Sequence, residues 1–162
     1  MTDIPGLTPL QIGAQAPDFT LRDQNNELLT LSSFQGQKAV LMVFYPWAFT
    51  GICTGELGQI RDNIARFVND TVQVITISVD SPYAQKIFSQ RDGLNFPLLA
   101  DFWPHGAVAQ AYGVFNSRAG AANRGTFLVG RDGVIRFSEV KEIGVGRDPK
   151  TWMDEIDALT SD

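Results

Sequence analysis

The sequence predicts an α/β fold: a central mixed β-sheet flanked by helices, with a β-hairpin near the N-terminus. Three observations carry this expectation. Residues 39–45, Ala-Val-Leu-Met-Val-Phe-Tyr, form a short, continuously apolar run suited to a strand buried on both faces. Beyond Thr54 the apolar period becomes helical, with Leu57, Ile60, Ile64 and Phe67 recurring and Arg61, Asp62 and Arg66 between them. Gly130-Arg131-Asp132-Gly133 is a strong turn signal between two apolar stretches.

The first ten residues read as a loose extension. Residues 19–23 and 28–31 flank Gln24-Asn25-Asn26-Glu27 as the two arms of a hairpin. Residues 72–79 form a second apolar strand, and Ser81-Pro82 then starts a helix: serine can cap free N–H groups, and proline lacks one. Residues 96–100 suit a short strand. Pro104 and His105 open a helix that Gly113 stops near Tyr112. Residues 126–129 and 134–138 pair across the Gly130–Gly133 turn, and an amphipathic helix runs from about Pro149 to Leu159. With a cysteine placed straight after the first central strand, this order is the thioredoxin-like arrangement.

A length of 162 residues suits a single domain spanning 1–162, and 44% hydrophobic content is enough for a core. The net charge is -5 and the 13 Lys and Arg residues are scattered, which argues against nucleic acid or an anionic membrane as partner. No stretch approaches the roughly 20 apolar residues of a membrane span. Met1 to Gly6 shows neither the basic region nor the apolar run of a secretion signal, so the expected location is cytoplasmic. Asn69-Asp70-Thr71 then matches a glycosylation sequon only by coincidence. One His and one Cys, without clustered carboxylates, make no metal site. Gly144-Val145-Gly146 lacks the third glycine of a dinucleotide-binding turn, and no cofactor is expected.

The one cysteine, Cys53, is the most informative residue. It sits where a strand gives way to a helix, and helix N-termini favour the thiolate through free N–H groups and the helix dipole. Since no second cysteine exists, its chemistry cannot end in an internal disulfide.

Pro46-(x3)-Thr50-(x2)-Cys53 resembles the peroxidatic signature of peroxiredoxins. Arg124-Gly125-Thr126-Phe127 resembles the segment carrying that family's active-site arginine, and Ala16-Pro17-Asp18-Phe19-Thr20-Leu21 its N-terminal segment. The likeness runs from about Ile12 to Leu159. Phe49-Thr50-Gly51-Ile52-Cys53, Asp101-Phe102-Trp103-Pro104-His105-Gly106 and Ala122-Asn123-Arg124 look like the one-cysteine alkyl hydroperoxide reductase E (AhpE) type of actinobacteria. The C-terminal resolving cysteine of two-cysteine peroxiredoxins is absent, so their recycling does not carry over.

The resemblance implies a thiol-dependent peroxidase acting on hydrogen peroxide, organic hydroperoxides and peroxynitrite. Cys53 would become a sulfenic acid, restored by an external thiol or redoxin: mycothiol with a mycoredoxin, or a thioredoxin. A homodimer or larger assembly is also implied. An ordinary thiol with a pKa near 8.5 is about 3% ionised at pH 7, so complete ionisation gains only about 30-fold, or about 2 kcal/mol. Such a site must also stabilise O–O cleavage. Thr50 supplies a hydroxyl that can accept from the hydroperoxide and donate to an oxygen. Arg124 supplies donors to the thiolate and the departing oxygen. Pro46 walls the thiolate. Glu56 could hold Arg124, and Arg147 is a more remote arginine. Phe49, Trp47, Ile52 and Trp103, with Phe102, suit an apolar substrate rim or a subunit contact.

Each residue also has a plainer reading. Cys53 could be a small core hydrophobe, Pro46 a strand terminator, Thr50 a helix cap, and the aromatics simple core. Arg124, Arg147 and Glu56 could be solvated surface charges, and His105 suits a helix start better than a general base. Two other functions fit the fold. A disulfide reductase is disfavoured, because position 56 is Glu and no Cys-x-x-Cys exists. A redox-sensing or holdase-like oligomer remains open as a second role.

Overall fold

A computed structural model describes residues 8–160. The first half of the chain holds β1 (Thr20–Arg22), β2 (Leu28–Thr30), β3 (Ala39–Phe44), α1 (Gly51–Asp62), α2 (Ile64–Phe67) and β4 (Val72–Ser78). The second half holds α3 (Pro82–Asp92), β5 (Leu98–Ala100), α4 (Ala107–Ala111), β6 (Phe115–Asn116), β7 (Ala121–Ala122), β8 (Arg124–Val129), β9 (Ile135–Lys141) and α5 (Pro149–Thr160). A seven-stranded sheet runs in the order β2-β1-β5-β4-β3-β8-β9. β3, β4 and β5 are parallel, joined through helices, while β8 and β9 add antiparallel strands and β1 and β2 close the other edge. This is the α/β thioredoxin-like fold, with a mixed sheet.

The apolar run is the central strand because both its faces are covered. All six residues of β3 are buried. Ala39, Leu41 and Val43, with Tyr45 beyond the strand, pack with Leu57, Ile60, Phe67, Phe88 and Trp152 of the helices α1, α2, α3 and α5. Val40, Met42 and Phe44 point the other way, to Val108 and Ala109 of α4, Tyr112 and Phe127. Ser81 caps α3 by accepting from the Ala84 N–H at 3.2 Å, and Gly93, at φ +66°, ends that helix.

Several boundaries differ from the sequence expectation. α1 starts at Gly51, ahead of Thr54, and stops at Asn63. The apolar period reports only the buried face, and in the first turn that face is Cys53 alone. The helix expected from Pro104 starts at Ala107, because Gly106 holds a left-handed φ of +70°, so His105 is not in a helix. β8 starts at Arg124, two residues before its apolar stretch. The small β6–β7 pair has no periodic signal. Residues 1–7 of the expected loose extension lie outside the described residues. Its last residue is tied down: the Leu10 N–H donates to the Tyr112 carbonyl at 3.3 Å and its carbonyl accepts from Ser138 Oγ at 2.7 Å. Among the described residues, no helix is long and apolar enough to cross a membrane.

Candidate active site

Sheet register brings the site together. β3 and β8 pair antiparallel, with Val43 opposite Thr126 and Leu41 opposite Leu128. Arg124 opens β8 two residues before Thr126, and Pro46 lies three residues beyond Val43, where the chain turns towards α1. Side chains alternate across a sheet, so Arg124, Thr126 and Leu128 share the face on which Cys53 packs. The sequence gap of 71 residues between Cys53 and Arg124 is thereby closed.

Cys53 is fully buried in the first turn of α1. Arg124 Nη1 donates to its Sγ at 3.3 Å and to Glu56 Oε1 at 2.7 Å, while Nε donates to the Ile143 carbonyl at 2.7 Å. Glu56 lies one turn beyond Cys53 on the same helix and is only 3% exposed. Arg147 grips it from the other side. Arg147 Nε and backbone N–H donate to Oε2 at 2.9 and 2.8 Å, and Nη2 donates to Oε1 at 2.9 Å. Arg147 Nη1 completes its bonds on the Gly125 carbonyl and Thr126 Oγ, both at 3.0 Å, and its guanidinium lies over the Trp152 ring at 5.3 Å.

The readings of Arg124, Arg147 and Glu56 as solvated charges are therefore overturned: all three are buried in one ion cluster. Arg147 does not touch Cys53 but reaches it through Glu56. Burial alone would raise the Glu56 pKa, but the hydrogen bonds and charge of Arg147, with the charge of Arg124, outweigh it and hold the carboxyl below its usual range. A carboxyl with a lowered folded pKa adds stability above its unfolded value and loses it as pH falls through the folded one. Below about pH 4.5 the protein is thus expected to lose stability that Glu56→Gln never had. At neutral pH that variant, with the buried pair broken, should be less stable by about 3–5 kcal/mol. Denaturant melts from pH 3 to 7 check both, and equal pH slopes in the two proteins would refute the linkage.

Pro46 is buried at the start of the loop from β3 to α1. Thr50 holds the N-cap position, but its side chain makes no cap bond; its Oγ–H donates instead to the Trp47 carbonyl at 3.0 Å. The plain helix-cap reading of Thr50 thus fails on its side chain. Between them Phe49 has φ +71°, a left-handed conformation costly for a bulky residue. Its ring packs on Phe88 with centroids 5.2 Å apart, under the Arg91 guanidinium at 4.9 Å.

Sequence reasoning missed the buried polar chain behind this loop. The Tyr45 hydroxyl donates to Gln85 Oε1, and Gln85 Nε2 donates to Ser78 Oγ at 2.8 Å and to the Leu99 carbonyl at 3.2 Å. Ser78 Oγ lies 2.6 Å from Asp80 Oδ2, which also accepts from the Ala48 N–H at 2.8 Å. Burial pushes the Tyr45 phenol far above its ordinary pKa, so it stays a donor. The only signal in the sequence was Ser78 standing between Ile77 and Val79.

Residues 12–138 match the model of the AhpC/TSA family. Alkyl hydroperoxide reductase E of Mycobacterium tuberculosis is 58% identical over 152 residues, covering 94% of this chain and 99% of that protein. This chain is a peroxiredoxin of the AhpC/TSA family.

More distant relatives agree. Peroxiredoxin tpx1 of Schizosaccharomyces pombe is 36% identical, covering 93% of this chain and 82% of that protein. Among solved structures, peroxidoxin BcpB of Mycobacterium tuberculosis superposes with a TM-score of 0.82 at 26% identity, over 93% of this chain and 98% of that one. The reduced 2-Cys peroxiredoxin of Plasmodium vivax gives 0.83 at 25% identity, over 94% and 83%. The peroxiredoxin is of the alkyl hydroperoxide reductase E type and is a thiol-dependent peroxidase.

The residues expected to form an apolar rim are exposed, so the core reading of the aromatics is overturned. Ile52, 39% exposed, follows Gly51 into α1 beside Cys53; Phe49 and Trp47 stand on the preceding loop. Trp103, 80% exposed, precedes α4, which packs on the sheet face opposite Cys53. His105 lies away from the thiol, with Nε2 at 2.6 Å from the Gly120 carbonyl and its ring edge-on to Phe115. Among the described residues no group of His, Cys, Asp and Glu could hold a metal ion.

Proposed function

We propose that this peroxiredoxin reduces hydroperoxides by a one-cysteine mechanism, with hydrogen peroxide, organic hydroperoxides and peroxynitrite as substrates. One observation carries the reading: Arg124 Nη1 at 3.3 Å from Cys53 Sγ, in the first turn of α1. The buried cluster holds two guanidinium groups and one carboxylate, a net charge of +1 that a thiolate neutralises. The Cys53 thiolate attacks the terminal oxygen of the peroxide. The S–O bond forms, the O–O bond breaks, and the electron pair leaves on the departing oxygen, which takes a proton from solvent as alcohol or water, or leaves as nitrite when the substrate is peroxynitrite. Arg124 donates to that oxygen as charge develops. Pro46, buried and without an N–H, walls the thiolate side.

The product is Cys53 sulfenic acid. An external thiol condenses with it, releasing water, and a second thiol restores Cys53. The lone cysteine of the chain supports this route. Likeness to the mycobacterial relatives favours mycothiol with a mycoredoxin, or a thioredoxin, in a cytoplasmic setting. Because Cys53 is fully buried, the reductant gains access only when the first turn of α1 opens.

Intact-mass spectra test the reading. One equivalent of peroxide should add one oxygen, excess a second, and an added low-molecular-weight thiol should give its mixed disulfide. A covalent protein dimer as the main product of stoichiometric peroxide would overturn the one-cysteine route. The exposed Trp47, Phe49, Ile52 and Trp103 also support a homodimer or larger assembly. Sedimentation at tens of micromolar should show at least a dimer, and a monomer would refute it.

A further inference from the structure

We propose that Asp80 is a positioning residue for peroxide reduction, acting through the Trp47–Ala48 peptide to make the Thr50 hydroxyl an acceptor only. The inference rests on the peroxidase reading and deepens it.

Parallel register places Asp80. β3 and β4 pair with Phe44 opposite Ile77, and Ala48 and Asp80 meet on the segments that leave the two strands. One peptide unit then meets a partner at each end. Its N–H, from Ala48, donates to Asp80 Oδ2 at 2.8 Å, and its carbonyl, from Trp47, accepts the Thr50 Oγ–H at 3.0 Å.

The direction of every proton in this chain follows from its ends. The Leu99 carbonyl can only accept, so the Gln85 amide turns its NH2 there and to Ser78 Oγ. Gln85 Oε1 is left to accept from Tyr45. The Ser78 oxygen receives a proton from Gln85, so its own goes to Asp80 Oδ2. Asp80 is therefore an acceptor at both contacts, as a carboxylate is. At the far end the Trp47 carbonyl can only accept, so it takes the single Thr50 proton. The Thr50 oxygen keeps only lone pairs for a substrate.

This divides the labour of the site. A hydroperoxide donates its terminal O–H to Thr50 Oγ, and that proton stays on the same oxygen as it bonds to sulfur and ends in the sulfenic acid. Donation to the leaving oxygen falls to Arg124. The dual role open to Thr50 in the sequence thus narrows to one. The left-handed Phe49 between Ala48 and Thr50 makes the anchor matter: a backbone conformation costly for a bulky residue persists only where its surroundings hold it.

The test compares wild type, Asp80→Asn, Thr50→Val and the double variant. An amide at position 80 keeps one oxygen for the Ala48 N–H and the Ser78 hydroxyl, but as a neutral and weaker acceptor than the carboxylate it loosens the anchor. Asp80→Asn should lower the rate constant for Cys53 oxidation by hydrogen peroxide about tenfold. Alkylation of Cys53 by iodoacetamide, which needs no Thr50 acceptor, should keep its rate and its pH midpoint. The double variant should react no more slowly than Thr50→Val alone. Unchanged peroxide kinetics in Asp80→Asn, equal losses in both reactions, or losses that multiply in the double variant would each overturn the role of Asp80. Wild-type protein inert to peroxide would instead overturn the peroxidase reading. If Asp80→Asn does not fold, exchange of the Ala48 amide in the wild type decides. It should be protected by about 100-fold or more, and exchange at the rate of a free loop amide refutes the anchor.

Discussion

Replacing Cys53 with serine is expected to abolish peroxide reduction and leave the fold in place. Cys53 is the only thiol in the chain, and a serine hydroxyl is not ionised at neutral pH. The loss should reach at least about 10⁴-fold, the scale on which removing a catalytic nucleophile acts. Serine fits the space, and its hydroxyl can still accept from Arg124 Nη1, so unfolding should shift by no more than about 1–2 kcal/mol. Peroxide consumption is measured with a small-molecule thiol as reductant. Turnover in the serine variant above that of the thiol alone would end the peroxidase assignment of Cys53.

Arg124→Ala is expected to cost about 10³-fold at pH 7, and about 10² of that should persist where the thiolate is saturated. Ionisation of an ordinary thiol accounts for at most about 30-fold, whereas a donor aimed at developing charge contributes about 10²–10³. Arg124 touches Cys53, Glu56 and the Ile143 carbonyl at once, a span that a point ammonium cannot reproduce. Arg124→Lys should therefore recover charge but little of the saturated rate, and it serves as the folding control for the alanine variant. The measurement is the rate constant for peroxide against pH. A saturated rate equal to wild type would reduce Arg124 to an effect on ionisation.

What was legible in the sequence followed local pattern. β3 could be read because six consecutive apolar residues admit little else, and α3 because Ser81-Pro82 and Gly93 mark both ends. The β6–β7 strands are two residues each, too short for any period to show. Arg124 and Gly125 look like loop residues, although they begin a buried strand. Resemblance grouped Cys53, Thr50 and Arg124, and the fold places Cys53 and Arg124 in contact. The burial of Glu56 was not legible, because the charge that permits it arrives from Arg147, 91 residues later. Asp80 was invisible for a related reason. An aspartate just past a strand looks like any turn residue until register sets it against Ala48.

The ion cluster also dates the reactivity of the chain. Cys53 and Glu56 belong to the first half of the sequence, whereas Arg124, Ile143 and Arg147 belong to its last quarter. A polypeptide still emerging from the ribosome carries the thiol without the arginines, and long-range antiparallel pairing of β8 with β3 is among the slower events of folding. During synthesis the cysteine thus lacks the guanidinium that touches it in the folded chain. On the proposed mechanism, full reactivity towards peroxide then waits until the last quarter of the chain has docked and Arg124 reaches the sulfur.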